Sequence, residues 1–247
     1  MLSKRYIDIN ADVGEGIGNE AILMPYLSSC NIACGGHTGD NTTMNDVVRL
    51  AIQHNVKVGA HPSFPDQENF GRQIMTINNV DLFDSVMSQT IALNNIAKQH
   101  GIALNHIKPH GALYNLAAKD ETIAKHIVNV ISSFSYKIKL YAPYNSVIAK
   151  IAKSENIEVY YEGFADRNYN DDLSLVSRKK SDALITKKED VFDHVYRIVK
   201  DRKVKTVNRV EVQLLADTIC VHGDTKNAVD ILKYLNQHLP ANGVEIL

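Results

Sequence analysis

The chain has no surplus of either charge, no cysteine framework and no long apolar run. Its 27 Lys and Arg stand against 28 Asp and Glu, and a net charge of −1 leaves no basic field for nucleic acid or an anionic membrane. The three cysteines, Cys30, Cys34 and Cys220, are too few and odd in number for a disulfide framework and suit a reducing cytoplasm. Cys30 and Cys34 also lack the close-spaced pairs of a structural zinc site and read as small buried residues. No apolar run approaches the roughly 20 residues needed to cross a bilayer. The opening Met1-Leu2-Ser3-Lys4-Arg5-Tyr6 carries no apolar leader core, so a cytoplasmic location is expected, with neither nucleic acid nor membrane as partner. What remains is 247 residues, 45% of them hydrophobic. That fits a single domain over residues 1–247, the size of many α/β barrels.

Strand-like and helix-like runs alternate. Strands are expected at 6–10, 29–33, 56–60, 103–108, 138–142, 158–162 and 218–221. Helical spacing of apolar residues, with start and stop signals, marks 41–54, 81–100, 121–132, 145–154, 190–200 and 226–238. This alternation means a parallel sheet, open or closed, and seven βα units suggest a barrel with one strand fewer than the usual eight. Residues 206–214 break the rhythm and read as an added hairpin.

Four histidines close strand-like runs and are flanked by Gly or Pro: His37, His61, His110 and His222. Asp40, Asp66 and Asp224 follow three of them within a few residues. In a parallel α/β protein the strand C-termini converge on one face, which holds the active site. The repetition points to one polar pocket assembled from distant parts of the chain. His54, His100, His126, His194 and His238 fall on helices or at their ends and read as surface or capping residues.

Side chains two apart on a strand share a face, so Asp8, Asn10 and Asp12 point together, as do His106, Lys108 and His110. Such triplets are costly in a buried strand unless paired or used. Asp8 and His106 are expected to face outward at strand starts, in structural hydrogen bonds; Asp12, Lys108 and His110, at strand ends, are expected to be functional. Gly14-Glu15-Gly16-Ile17-Gly18 superficially resembles a dinucleotide loop, but its third glycine is misplaced and Asp12 and Glu15 would repel a pyrophosphate. The G-x-x-x-x-G-K-[ST] phosphate loop is absent. Asp12, His37, His61 and His110 are a possible divalent-metal set, with Asp12, His37 and His61 the first candidates. No H-E-x-x-H supports it, and metal-free acid–base chemistry by a histidine is the preferred reading. Arg167, beside Asp166 after the sixth strand, is either a surface ion-pair partner or a clamp for a substrate carboxylate, and Arg72 is a second candidate clamp.

Six ordered motifs resemble a known family: Asp8-Ile9-Asn10-Ala11-Asp12-Val13-Gly14-Glu15; Asn31 through Asp40 with Cys34-Gly35-Gly36-His37; Val58-Gly59-Ala60-His61-Pro62 with Phe70-Gly71-Arg72; His106 through Tyr114; Phe164-Ala165-Asp166-Arg167-Asn168-Tyr169; and Ala216 through Asp224. The chain is similar to the LamB/YcsF family, that of the A subunit of bacterial 5-oxoprolinase, from residue 6 to about residue 235. It departs from the pattern in a shorter segment between Gly14 and Cys30 and in Gly36, where many members carry a bulkier residue. The resemblance implies a distorted seven-stranded parallel (β/α) barrel related to those of polysaccharide deacetylases and some glycosidases. It implies ATP-dependent opening of the small-molecule lactam 5-oxoproline (pyroglutamate) to L-glutamate, with subunits B and C as partners that bind ATP and phosphorylate the lactam oxygen.

The mechanism expected on that basis gives His61 or His110 the role of general base, oriented by Asp12, and Lys108 that of the cation for phosphoryl or oxyanion charge. Asn10, His37, Arg72, Glu162, Asp166, Arg167 and His222 are the expected substrate-binding residues. Two cations beside Asp12 and Glu162 would make a near-neutral pocket. Two other classes stay open: a metal-dependent deacetylase or hydrolase acting alone on an amide, and a non-catalytic pyroglutamate-binding component that serves its partners.

Overall fold

A computed structural model describes residues 5–247; residues 1–4, on which part of the reading of the N-terminus rests, lie outside the described residues. The elements in chain order are β1 (Arg5–Val13), α1 (Glu20–Leu23), β2 (Ser29–Ala33), α2 (Asn41–Gln53), β3 (Lys57–His61), α3 (Asn79–Gln99), β4 (His106–Ile107), α4 (Gly111–Ala117) and α5 (Glu121–Ser132). There follow β5 (Lys139–Pro143), α6 (Val147–Ser154), β6 (Val159–Phe164), α7 (Lys188–Asp201), β7 (Lys203–Lys205), β8 (Glu211–Gln213), β9 (Thr218–Cys220), α8 (Ala228–Ala241) and β10 (Val244–Ile246). Strands β1 to β6 pair in sequence, all parallel, and β9 lies between β6 and β1, closing a seven-stranded barrel. The seam exists because β1 is nine residues long: Asp8–Asn10 pair with β9, while Arg5–Ile7 pair with β10.

The two faces of β1 show how the barrel is filled. Ile7, Ile9, Ala11 and Val13 point outward and are buried under the helices, whose apolar stripes (Val47, Val48 and Ala51 on α2; Leu82, Val86 and Leu93 on α3; Ile231, Leu232 and Leu235 on α8) form the aliphatic core. Each such side chain contributes roughly 1.5–3 kcal/mol by leaving water. Asp8, Asn10 and Asp12 point inward, so the barrel interior is polar where these folds usually carry branched apolar layers. Asp8 Oδ2 accepts from Ser29 Oγ at 2.7 Å and Thr218 Oγ1 at 2.6 Å. Above it Asn10 donates to Glu162 at 3.1 Å and to Thr218 at 2.7 Å, and accepts from Asn31 at 2.7 Å. His106 Nε2 donates to Asn31 Oδ1 at 2.7 Å, and its ring stacks on Tyr141, centroids 3.8 Å apart.

The outward placement expected for Asp8 and His106 is thus corrected: both are fully buried inside the barrel, although their hydrogen bonds are structural as expected. Gly59 on the neighbouring strand makes the room, since a Cβ there would overlap the His106 ring. The expected strand at 103–108 contracts to two residues, but Asn105 N→Val58 O (2.8 Å) and Lys108 N→Ala60 O (2.9 Å) carry its pairing further along β3. The expected hairpin is present with its strands displaced: β7 and β8 pair antiparallel around a turn at 206–210, outside the barrel. His54 and His100 close α2 and α3 as C-caps. His194, expected at the surface, instead stacks near Tyr169 at 6.0 Å with its Nε2 buried, and burial holds its pKa down at about 4.

Candidate active site

The C-terminal ends of the strands deliver the functional side chains to one mouth. β1 supplies Asp12 and, past its end, Glu15; the loop after β2 supplies His37; β3 ends in His61; the segment after β4 supplies Lys108 and His110; β6 supplies Glu162; the loops after β6 and β9 supply Asp166, Arg167 and His222. They surround a cavity of about 780 Å³ lined by Asp12, Glu15, His61, Lys108, His110, Tyr114, Glu162, Arg167 and the rim arginines Arg72 and Arg178. A larger depression of about 920 Å³ lies at the opposite end of the barrel between Lys57, Lys139 and Glu158. It lacks convergent strand-end groups, so the smaller cavity is the candidate site.

Lys108 is the centre of the cavity floor. Its Nζ lies 2.9 Å from Asp12 Oδ1, 2.9 Å from Glu162 Oε1 and 3.3 Å from Cys220 Sγ. Burial opposes the ammonium, but Asp12, Cys220 and Glu162 outweigh it and hold its pKa well above the lysine range. Burial likewise opposes ionisation of Asp12, and His61 and Lys108 outweigh it, holding that carboxyl well below its ordinary range. Asn31 adds a hydrogen bond to Asp12 Oδ1 at 2.8 Å. Asn10, expected to touch substrate, lies beneath this floor with its amide fully engaged; it holds Glu162 and Asn31 in place. Glu162 Oε2 and the Tyr114 hydroxyl are buried, line the cavity and have no hydrogen-bond partner among the described residues. Burial, then the nearby Glu162 carboxylate, pushes the Tyr114 phenol well above its ordinary range.

Beside Asp12 the imidazoles gather around Glu15. His61 Nδ1 faces the Lys108 carbonyl at 2.7 Å, and His110 Nε2 faces the Phe70 carbonyl at 3.0 Å. The remaining nitrogens, His61 Nε2 and His110 Nδ1, lie 3.0 Å apart. Asp12 Oδ2 is 3.4 Å from His61 Nε2. His37 sits behind, stacked on His110 at 3.7 Å, with Nε2 3.0 Å from Glu15 Oε1. Burial and the neighbouring imidazoles lower the His110 pKa to about 2, and burial lowers that of His37. Gly71, at φ 61, lets the chain pass this stack: a Cβ there would sit 3.1 Å from both His110 and His37. The departure at Gly36 has a similar cause, since Gln89 and Ser63 occupy the place a side chain would need.

At the rim, Asp166 is fully buried and accepts from His222, Nδ1 at 2.8 Å and backbone N at 3.2 Å, and from the Thr225 hydroxyl. Asp166 therefore orients His222 rather than touching the cavity. Arg167 is buried, donates from Nη2 to the Val176 carbonyl at 2.7 Å, and leaves Nε without a partner. Arg72 is exposed and pairs with Asp224 at 3.4 Å, as Arg178 does at 3.0 Å. The structure thus brings Asp12, His61, Lys108, His110 and Glu162 into direct contact and places Arg167, Arg72 and His222 around them. Of the first metal candidates, His61 joins the imidazole cluster, His37 stands behind it and Asp12 flanks it. Sequence reasoning gave no role in the site to Glu15, beyond repelling a pyrophosphate and closing the first motif, or to Tyr114, Tyr169 and Arg178, which also line the cavity. The signal for Glu15 was its place one residue beyond Gly14 at the end of β1.

The LamB/YcsF family model matches residues 7–247. The 5-oxoprolinase A subunit of Staphylococcus aureus (strain Newman) is 41% identical over 245 residues, which cover 97% of this chain and 98% of that protein. The crystal structure of a lactam utilization protein from Thermus thermophilus superposes with a TM-score of 0.91 at 34% identity, covering 98% of both chains. A family 4 carbohydrate esterase from Streptomyces lividans superposes with a TM-score of 0.52 at 11% identity, covering 98% of this chain and 91% of that one, and shares the fold alone.

Proposed function

The chain belongs to the LamB/YcsF family, and from that premise we propose that it is the ring-opening component of an ATP-dependent 5-oxoprolinase, working with subunits B and C. The names of its relatives, a lactam utilization protein and the A subunit of a 5-oxoprolinase, support a hydrolytic role on a cyclic amide. The observation that carries the reading is Lys108, fixed between Asp12 and Glu162 at the floor of a cavity that is also lined by His61, His110 and the buried Arg167.

5-Oxoproline is an unactivated lactam that carries a carboxylate. ATP enters as co-substrate of the complex, bound by the partners, which place a phosphoryl group on the lactam oxygen. Water then adds to the ring carbon, and the C–N bond must break before the C–O(phosphoryl) bond, because loss of phosphate first would regenerate the lactam. The nitrogen takes the proton that the base removed from the water, an acyl phosphate forms, and a second water releases phosphate and L-glutamate. In this chain the water is activated at the lone pairs of His61 Nε2 and His110 Nδ1. Lys108 faces the charge that develops on the oxygen. Glu162 Oε2 receives the ring N–H, with the Tyr114 hydroxyl beside it. Arg167, with Arg72 and Arg178 at the rim, holds the substrate carboxylate.

Lys108→Met in the assembled complex is expected to lower kcat by roughly 10²–10³-fold with little change in KM, the loss typical of one charge-stabilising donor. Full turnover by that variant would contradict the assignment.

A further inference from the structure

Three potential ligand atoms, Glu15 Oε1, His61 Nε2 and His110 Nδ1, converge at the imidazole cluster. A backbone carbonyl offers only lone pairs, so the Lys108 carbonyl requires a ring proton on His61 Nδ1, and in the neutral ring Nε2 then carries the lone pair. The Phe70 carbonyl does the same at His110 Nε2 and leaves Nδ1 bare. The two bare nitrogens face each other at 3.0 Å. Glu15 Oε1 completes a triangle, 3.3 Å from His110 Nδ1 and 3.8 Å from His61 Nε2. Lone pairs opposed at such separations repel; a shared proton can bridge one pair of the three, whereas a metal ion meets all three at once.

We propose that Glu15 Oε1, His61 Nε2 and His110 Nδ1 bind one divalent first-row transition ion of the zinc class, with its open positions turned to the cavity. The proposal rests on reading this mouth as a hydrolytic centre. Metal bonds of about 2.0–2.2 Å at tetrahedral angles give ligand–ligand edges of about 3.3–3.6 Å. The three observed edges, 3.0, 3.3 and 3.8 Å, bracket that range. Two imidazoles and one carboxylate are a borderline N/O set that suits zinc and its neighbours. The outer bonds are those that orient metal ligands: each histidine donates its distal N–H to a backbone carbonyl, and His37 Nε2, 3.0 Å away, donates to the ligating oxygen of Glu15. Asp12, Cys220 and His222 form a second group within coordinating distance. There the Lys108 ammonium already lies against Asp12 and Cys220 and holds the place of a cation. With an ion bound at the first group, the lone pairs of His61 Nε2 and His110 Nδ1 are no longer free to take a proton, and the ion, polarising water in the cavity, would take over the activation assigned to them above.

The test is titration of the chelator-stripped chain with Zn²⁺ and Co²⁺, followed by calorimetry and, for Co²⁺, visible absorption. One equivalent per chain is expected, with the intense d–d bands of a low-coordinate N/O site. Glu15→Gln, nearly isosteric, and His110→Gln should each weaken binding at least about 100-fold, His37→Gln about 10-fold, and His222→Gln not at all; circular dichroism checks that each variant folds. Absence of stoichiometric binding by Zn²⁺, Co²⁺ or Mn²⁺ would overturn the proposal. So would binding lost in His222→Gln and kept in Glu15→Gln, which would move the ion to the second group. Tight binding without glutamate from the reconstituted complex would leave the metal site standing and sink the functional reading. Full turnover by a metal-free complex would do the reverse.

Discussion

Asp166 shows how one buried carboxylate can serve both stability and function. Its burial opposes ionisation, but His222 and Thr225 outweigh it and hold its carboxyl below the ordinary 3.8. A depressed folded-state pKa adds stability that is complete above the unfolded value and is lost as pH falls through the folded one. Asp166→Asn should therefore cost roughly 2–3 kcal/mol at pH 7, and the deficit should shrink progressively as pH falls below about 4; urea titrations at pH 7 and pH 3 check it. A deficit of equal size at both pH values would show that the charge plays no part. Gly59→Ala belongs to the same scale: its methyl would displace the His106 ring from Asn31 and Tyr141, at roughly 1–3 kcal/mol in a thermal melt. Most of the site was legible residue by residue because strand ends, Gly and Pro mark the mouth. Glu15 was not, since its role depends on a turn that brings it back over His37, His61 and His110. The depth of Asp8 and His106 was not either, since period-2 alternation tells which residues share a face but not whether that face is the inside of a barrel.

Among the elements, the helices with strong caps were read almost to the residue. α5 begins after Asp120, whose side chain accepts from Ile123 N at 3.0 Å, and α6 after Ser146, which accepts from Ala149 N at 3.3 Å and donates to the Pro143 carbonyl at 2.7 Å. Ser146→Ala is expected to cost about 1–2 kcal/mol in a urea titration, and no measurable loss would mean the cap is idle. The short elements were missed for physical reasons. α1 has four residues and α4 seven, too few to show an apolar period, and β10 follows Gly243 with only Val244 fully buried. Yet β10 covers the N-terminal half of β1, where the barrel seam would otherwise expose an edge. Val244→Ala should destabilise by roughly 2 kcal/mol, and an unchanged denaturation midpoint would show that β10 is dispensable.

At the scale of the whole molecule, the alternation of strands and helices foretold a seven-unit barrel, and the pairing of β9 with both β6 and β1 shows the closure that spacing alone left open. None of the described helices is long and apolar enough to cross a membrane. The missing phosphate loop fits a chain that receives an activated substrate rather than activating it. The most direct test of that division of labour is glutamate release from 5-oxoproline and ATP with this chain alone, with subunits B and C alone, and with the three together. Glutamate only from the full mixture is the predicted result. No glutamate from the mixture, with amide hydrolysis by this chain alone on an acetylated substrate, would contradict it and favour a free-standing deacetylase.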